Sequence, residues 1–209
     1  MATINLVKGQ KINLKKENGA SITKFCAGAN WGAHSNGDSI DLDLHGVMFD
    51  SNKNEIEHIY FGNRYSEFAE PKRHEDGYIL ESKIWLTEDD REGDQGGDDG
   101  EDNEVLYMDL SKLPSHCEKV VIFLCSFSGD DFGDVPHAAV RIYEGTKENP
   151  TNILAQYNVG REASFRGHTV MVMGMFYKHN GEWKFNAIGT PIKVDGSVEA
   201  KETIKSKFL

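Results

Sequence analysis

Apolar and polar residues alternate with period two along most of this chain, which is the spacing of a β-strand with two different faces. In the segment "SIDLDL", Ile40, Leu42 and Leu44 fall on one face, and Asp41 and Asp43 fall on the other. The segment "KVVIFLCSF" is apolar at nearly every position, which predicts a central strand covered on both faces. Further apolar strand-like segments follow it in the chain: "HAAVRIYE", "NILAQYNV", "HTVMVMGMFYK" and "EWKFNAIGTPIKV".

Segments rich in turn-forming residues separate these predicted strands, among them "SGDDFGDVP", "GTKENPT" and "KHNGE". The Asn-Gly pair in "HNGE" lies between two apolar segments and predicts a β-hairpin. Many short strands without alternating helices predict an all-β fold, and we expect a β-sandwich of two mostly antiparallel sheets. We expect this domain to span residues 1–195 and a C-terminal tail to span residues 196–209, where "VEAKETIKSKFL" suggests a short helix.

Charge is distributed unevenly along the 209 residues of the chain. The formal net charge is −11, and residues 88–104 hold ten acidic residues against Arg91, so that this segment carries −9 of the total. The long acidic loop lies between two predicted strands, "KIWL" and "NEVLYMDL". The acidity is therefore a property of one site, and the absence of a basic stripe argues against nucleic acid as a direct partner.

Cysteine usage and the N-terminal sequence indicate a cellular compartment. Cys26, Cys117 and Cys125 are odd in number and lack zinc-type spacing, which is typical of reduced, buried thiols in a cytoplasmic protein. The N-terminal segment lacks the apolar core of a signal peptide, and no apolar stretch reaches the roughly 18 residues of a membrane helix. We therefore expect a cytoplasmic location.

The acidic loop has the composition of a calcium site. Calcium takes about six to eight oxygen ligands, and glycines let a backbone turn sharply around them. An EF-hand is excluded, because Gln95 stands where that motif needs glycine and the flanks are strands. The alternative is a solvated or disordered acidic segment. Asp41 and Asp43 favour a metal, because carboxylates about 6.8 Å apart on one strand face are unfavourable without a cation above them.

Several separated motifs together resemble the TerD family of tellurite-resistance and stress-response proteins. In chain order they are "INLVKGQKINL", "SIDLDLHGVMFD", "IYFGN", the acidic loop, "LSKLP", "FGDVPHAAVRIYE" and "EWKFNAIG". The resemblance covers roughly residues 3–195 and implies a calcium-binding β-sandwich without known catalytic activity. Thr87 and Glu88 depart from the Ser-Gly that the family more often has before its Asp pair.

The resemblance implies that one or two Ca²⁺ ions bind to the early strand and the acidic loop. The matching positions are Asp41, Asp43, Asp89, Asp90, Asp98, Asp99, Asp102 and Glu104. The oxygen spacing within the loop adds Asp94 to the expected ligands.

Other functions have weaker support in the sequence. An enzyme is not expected, because the chain has no phosphate-binding glycine loop, nucleophile elbow or His-Glu-x-x-His motif. Direct reaction of tellurite with thiols is unfavourable, because tellurite is an anion and the loop carries −9. A calcium-dependent carbohydrate- or ligand-binding β-sandwich remains the alternative, with candidate contacts Trp31, Trp85, Trp183 and Tyr107.

We expect a cytoplasmic calcium-binding module that acts as a sensor, buffer or scaffold in a stress-response system. Calcium would order the acidic loop, and the ordered face would bind protein partners of a stress-response complex. Neither a nucleic acid nor a small-molecule substrate is inferred. The tail is basic beyond Glu202, so that docking on a partner or on a membrane surface stays open beside a solvated tail.

Overall fold

The computed structural model describes residues 9–16, 18–67, 84–161 and 163–209. Its strands form two antiparallel sheets, which confirms the expected all-β sandwich. The first sheet contains β1 (Lys11–Asn13), β3 (Leu42–Phe49), β4 (Glu55–Ile59), β7 (Lys119–Ser126), β10 (Val170–His179) and β11 (Glu182–Ile192). The second contains β2 (Lys24–Trp31), β5 (Ile84–Leu86), β6 (Glu104–Asp109), β8 (Ala138–Gly145) and β9 (Pro150–Asn158). Hydrogen-bonded neighbours follow the orders β1-β11-β10-β7-β3-β4 and β5-β6-β2-β8-β9.

The main hydrophobic core lies between the two sheets, because the strands turn alternate side chains towards each other. Leu42 and Leu44 of β3 are fully buried in this core, together with Leu106 of β6 and Ile142 of β8. β7 lies between β10 and β3, so the prediction of a central strand for its apolar sequence is confirmed.

The outer face of the first sheet is covered by helix α1 (Gly196–Lys207), which packs Ala200 and Ile204 against it. The C-terminal segment is therefore a packed part of the structure and not a solvated tail. Asp43 and His45 lie on this same face and are only 3% and 1% exposed. The alternating pattern of β3 correctly places Asp43 on the face opposite the inter-sheet core. The pattern alone suggests that this face is exposed to solvent, whereas α1 and the neighbouring loops cover it.

The turns agree with the local sequence. Asn180 and Gly181 connect β10 to β11 with φ angles of 55° and 77°, which confirms the hairpin that the Asn-Gly pair predicts. Two single-turn 3₁₀ helices, Leu110–Lys112 and Ala163–Phe165, complete the elements. Of the predicted strand "KIWL", Lys83 lies outside the described residues, and the other three residues form β5. Among the described helices, none has the length and apolar character needed to cross a bilayer.

Candidate metal centre

The acidic loop, residues 87–103, connects β5 to β6 and is folded back onto the end of β2. The backbone N–H of Asp94 donates to the Trp31 carbonyl at 2.9 Å, and the Ala33 N–H donates to the Asp94 carbonyl at 3.1 Å. Gly93 allows this approach, because its φ is 69° and a Cβ there would lie 2.6 Å from Cδ1 of Trp31. The loop is therefore fixed to the sandwich by backbone contacts as well as by any ion.

One group of carboxylates joins this loop to the start of β3. Side-chain oxygens of Asp41, Asp43 and Asp89 lie within 4.8 Å of one another. Asp41 is held in place because its backbone carbonyl accepts a hydrogen bond from the Phe127 N–H at 2.9 Å. The Asp pair that the sequence singles out is thus brought together with the first Asp of the acidic loop.

The oxygens of this first group fit a hard cation. Oδ1 of Asp41 is buried without a hydrogen-bond partner, and the carboxylate of Asp43 accepts no hydrogen bond within the described part of the chain. Burial, followed by the charges of Asp41 and Asp89, raises the pKa of Asp43 to about 7. Because calcium binds carboxylate oxygens and these oxygens lack other partners, the group has the chemistry of a calcium site.

Arg91 supplies a counter-charge to this first group. Its Nε donates to Oδ2 of Asp89 at 2.7 Å, and 73% of its side chain is exposed. A cation bound among the three carboxylates would compete with this guanidinium, which is too exposed to hold Asp89 strongly.

A second group lies at the other side of the loop and contains Asp94, Asp98 and His137, again with ligand atoms within 4.8 Å. Here the carboxylates already have partners, because Nδ2 of Asn30 donates to Asp94 Oδ2 and to Asp98 Oδ1, each at 3.3 Å. Nδ2 of Asn103 donates to Oδ1 of Asp94 at 3.0 Å. Calcium also prefers oxygen to imidazole, so this group fits calcium less well than the first.

Two other predicted ligands use their oxygens within the loop. Oδ1 of Asp90 accepts hydrogen bonds from the N–H groups of Glu92 and Gly93, both at 3.0 Å. Oδ1 of Asp99 accepts from the Glu101 N–H at 2.8 Å. These carboxylates shape the turns of the loop, and neither belongs to the two groups that could hold an ion.

Asp102 is 1% exposed and is already paired. Nε of Arg141 donates to its Oδ1 at 2.9 Å, and the Tyr143 hydroxyl donates to its Oδ2 at 2.8 Å. Gly28 makes room for this pair, since a Cβ there would overlap the Asp102 carboxylate. The structure thus places Asp102 of the loop in a buried ion pair with Arg141 of β8, apart from both groups.

Glu104 is fully buried and connects the two sheets. Its Oε2 accepts the Leu44 N–H at 2.8 Å, and its Oε1 accepts the Asp90 N–H at 3.4 Å. Burial is the largest cause of a rise in the pKa of Glu104 to about 9. In the metal-free protein this side chain is therefore protonated at neutral pH. It links Leu44 of β3 to Asp90 of the acidic loop.

The raised pKa of Glu104 predicts a pH dependence of stability in the metal-free protein. Between its ordinary pKa of 4.5 and about 9, the folded state keeps a proton that the unfolded state has released. Stability is therefore lost as the pH rises, and the melting temperature in a chelator is expected to fall between about pH 7 and pH 8. Glu104→Gln should flatten this slope, whereas Glu101→Gln, the same substitution at an exposed position, should leave the slope unchanged. An unchanged slope in Glu104→Gln would contradict the assignment.

Sequence reasoning did not single out Asn30 and His137. Nε2 of His137 lies 2.8 Å from Oδ1 of Asn30, and this pair organises the second group. Nothing in the local sequence distinguishes His137 from the seven other histidines, because the contact forms only when β2 and β8 pair.

The remaining candidates have structural roles. Cys26, Cys117 and Cys125 are buried and free, and burial raises the pKa of each thiol to about 12, which disfavours the reactive thiolate. Trp31 is fully buried, and its Nε1 donates to the Ile40 carbonyl at 2.8 Å, so it cannot contact a sugar. Trp85 and Tyr107 stack on each other, with ring centroids 4.2 Å apart, on the outer face of the second sheet.

The fold and the site together define a β-sandwich in which an acidic loop and an early strand bring carboxylates to one point. The sequence pattern of the TerD domain matches residues 1–196, and the chain belongs to this family.

Relatives agree with this membership. The chain is 31% identical over 196 residues to tellurium resistance protein TerZ of Serratia marcescens, covering 89% of each chain. It is 28% identical over 204 residues to stress response protein SCP2 of Bacillus subtilis, covering 89% of this chain and 91% of that protein. A solved structure of a telluride resistance protein (TerD) homologue from Streptomyces coelicolor has the same fold, with a TM-score of 0.64. The two sequences are 18% identical, and the match covers 88% of this chain and 98% of that one.

Proposed function

We propose that this chain is a non-catalytic calcium-binding module of a stress-response system in the cytoplasm. The observation that carries the proposal is the first group, in which Asp41, Asp43 and Asp89 converge while Oδ1 of Asp41 and the Asp43 carboxylate accept no hydrogen bond from the residues that the structure describes. Three carboxylates this close repel one another unless a cation is present, and their oxygen chemistry suits calcium.

Calcium would act on the junction between the acidic loop and β3. Asp89 belongs to the loop, whereas Asp43 belongs to β3 and Asp41 directly precedes it, so an ion shared by them ties the loop to the sheet. Neutralising part of the −9 charge of residues 88–104 would also lower the repulsion within the loop. A protein partner, free or membrane-associated, that recognises the tied loop would then bind in a calcium-dependent manner, as expected of a sensor or scaffold.

The names of two relatives, a tellurium resistance protein and a stress response protein, support the stress-response part of the proposal. The charge of the loop supports an indirect role in tellurite resistance, because a site built from carboxylates attracts cations and repels an oxyanion such as tellurite.

A calcium titration of chelator-treated protein tests the proposal. We expect Ca²⁺ to raise the melting temperature and to change the emission of Trp31, because its ring packs against the acidic loop at Gly93. Mg²⁺ should act more weakly, since it demands a small octahedral site and gives up its waters reluctantly. Identical melting curves with and without Ca²⁺, or an equal effect of Mg²⁺, would refute a calcium site.

A further inference from the structure

A cavity of about 700 Å³ lies beside the first group, between the outer face of the first sheet and the N-terminal end of α1. His45 and Ser126 contribute to its wall from the sheet, and Gly196 and Ser197 contribute from the helix. Its volume is that of a site for a small organic molecule. Asp43 and two aromatic residues, Phe61 and Phe127, line both this cavity and the cleft at the first group, so the two are neighbours.

One buried polar side chain in the cavity wall has an atom without a partner. His45 is 1% exposed, and its Nδ1 lies 2.9 Å from Nε2 of His58, whereas its own Nε2 has no hydrogen-bond partner among the described residues. Unpaired buried polar atoms are costly and rare in folded proteins, and here a bound molecule would satisfy this nitrogen.

The opposite wall contains two features that attract negative charge, the N-terminus of α1 and Lys193. The first N–H groups of a helix have no partners within the helix, and Asp195, which precedes α1, makes no capping hydrogen bond with its side chain. Lys193 also lines the cavity and forms no ion pair within the described part of the chain. A helix N-terminus and a lysine together attract an anionic group.

The mouth of the cavity is aromatic. Phe127 is 66% exposed, which is unusual for a large apolar side chain, and its ring meets that of Phe61 edge to face at 5.6 Å. Tyr60 packs edge to face on Phe61 at 5.1 Å and continues the aromatic wall. A flat unsaturated ring bound here would cover Phe127 and remove its apolar surface from water.

We propose that this cavity binds a small organic anion, a carboxylate or phosphate ester with an aromatic ring, together with calcium. The inference rests on the proposed function, because Asp43 and Asp195 also line the cavity and outnumber Lys193. A divalent cation at the first group offsets the charge of Asp43 and makes the wall less negative. The coupling between anion binding and calcium binding is reciprocal, so the anion also strengthens calcium binding.

Isothermal titration calorimetry with phenyl phosphate and with benzoate tests the inference on the full chain. Both probes combine an aromatic ring with an anionic group, and comparing them separates a phosphate ester from a carboxylate ligand. We expect at least one of them to bind in Ca²⁺ and to bind about tenfold more weakly in a chelator. Benzyl alcohol, which lacks the charge, and benzylamine, which reverses it, should bind more weakly than the better anion.

Two variants locate the bound anion. His45→Phe should weaken binding on the order of tenfold, because a hydrogen bond from Nε2 to a charged group is lost while the ring stack on Phe123 is kept. Thermal unfolding of this variant without ligand checks that it is folded. Lys193→Ala should weaken binding about threefold. Lys207→Ala is the matched control, because it removes the same charge at the far end of α1.

The outcomes separate this inference from the proposed function. If Ca²⁺ raises the melting temperature of the parent protein but neither anion binds, the inference is wrong and the calcium site stands. Equal binding in Lys193→Ala, His45→Phe and Lys207→Ala, or a preference for benzylamine, also overturns it. If calcium neither stabilises the protein nor strengthens the anion, the proposed function fails, and with it the calcium-linked form of this inference.

Discussion

Replacing Asp41 and Asp43 together with Asn is expected to abolish the rise in melting temperature that Ca²⁺ produces. At a calcium concentration about 100-fold above the dissociation constant, binding contributes about 2.7 kcal/mol. For a chain of this size that corresponds to a rise of roughly 5–10 °C. The double variant removes two of the three carboxylates of the first group but keeps side chains of similar shape. Thermal unfolding in calcium and in a chelator measures the difference.

The metal-free state of this double variant provides an internal control. Burial and the neighbouring carboxylates disfavour a charged Asp43, as its pKa of about 7 indicates, so that the neutral Asn should leave the chelator-treated protein at least as stable as the parent. A variant that folds well and ignores calcium therefore identifies lost ligands and not lost structure.

Asp98→Asn with Asp99→Asn makes the matched charge change in the exposed part of the loop. We expect this pair to retain most of the calcium effect, because Asp98 belongs to the second group and Asp99 to neither. If instead it loses the calcium response while the Asp41 and Asp43 variant keeps it, the ion binds at the second group and our placement is wrong.

Asp102→Ala is expected to lower the free energy of unfolding by about 3–5 kcal/mol, which is the cost of leaving one member of a buried ion pair alone. Arg141 has a side chain only 19% exposed, and the Tyr143 hydroxyl also loses its acceptor. Chemical denaturation of the chelator-treated protein measures the loss. Glu101→Ala, at an exposed position, should stay within about 0.5 kcal/mol of the parent.

Gly28→Ala tests the same pair from the opposite side. Its added methyl group would overlap the Asp102 carboxylate, so it should also destabilise the protein while every charge is kept. The sequence resemblance implies that Asp102 is a metal ligand, and the two roles give different results. If Asp102→Ala has near-normal stability but has lost the calcium response, Asp102 is a metal ligand, as the resemblance implies.

The sequence by itself determined the architecture of this protein. Period-two alternation in segments such as "SIDLDL" and the Asn-Gly turn at Asn180 specify strands and hairpins, because side-chain direction and turn geometry depend on neighbours in the chain. The concentration of charge in residues 88–104 and the Asp pair at the start of β3 also marked the region of the candidate site, since both are local features.

Only the tertiary structure decided which carboxylates share a site. Asp89 meets Asp41 and Asp43, whereas Asp102, from the same acidic loop, is paired with Arg141 on β8. Likewise, α1 packs on the first sheet and creates the cavity at His45, which no local pattern indicates. These contacts join residues that are distant in the chain. They are set by how strands pair and layers pack, and a run of similar acidic residues does not encode which of them will face a partner.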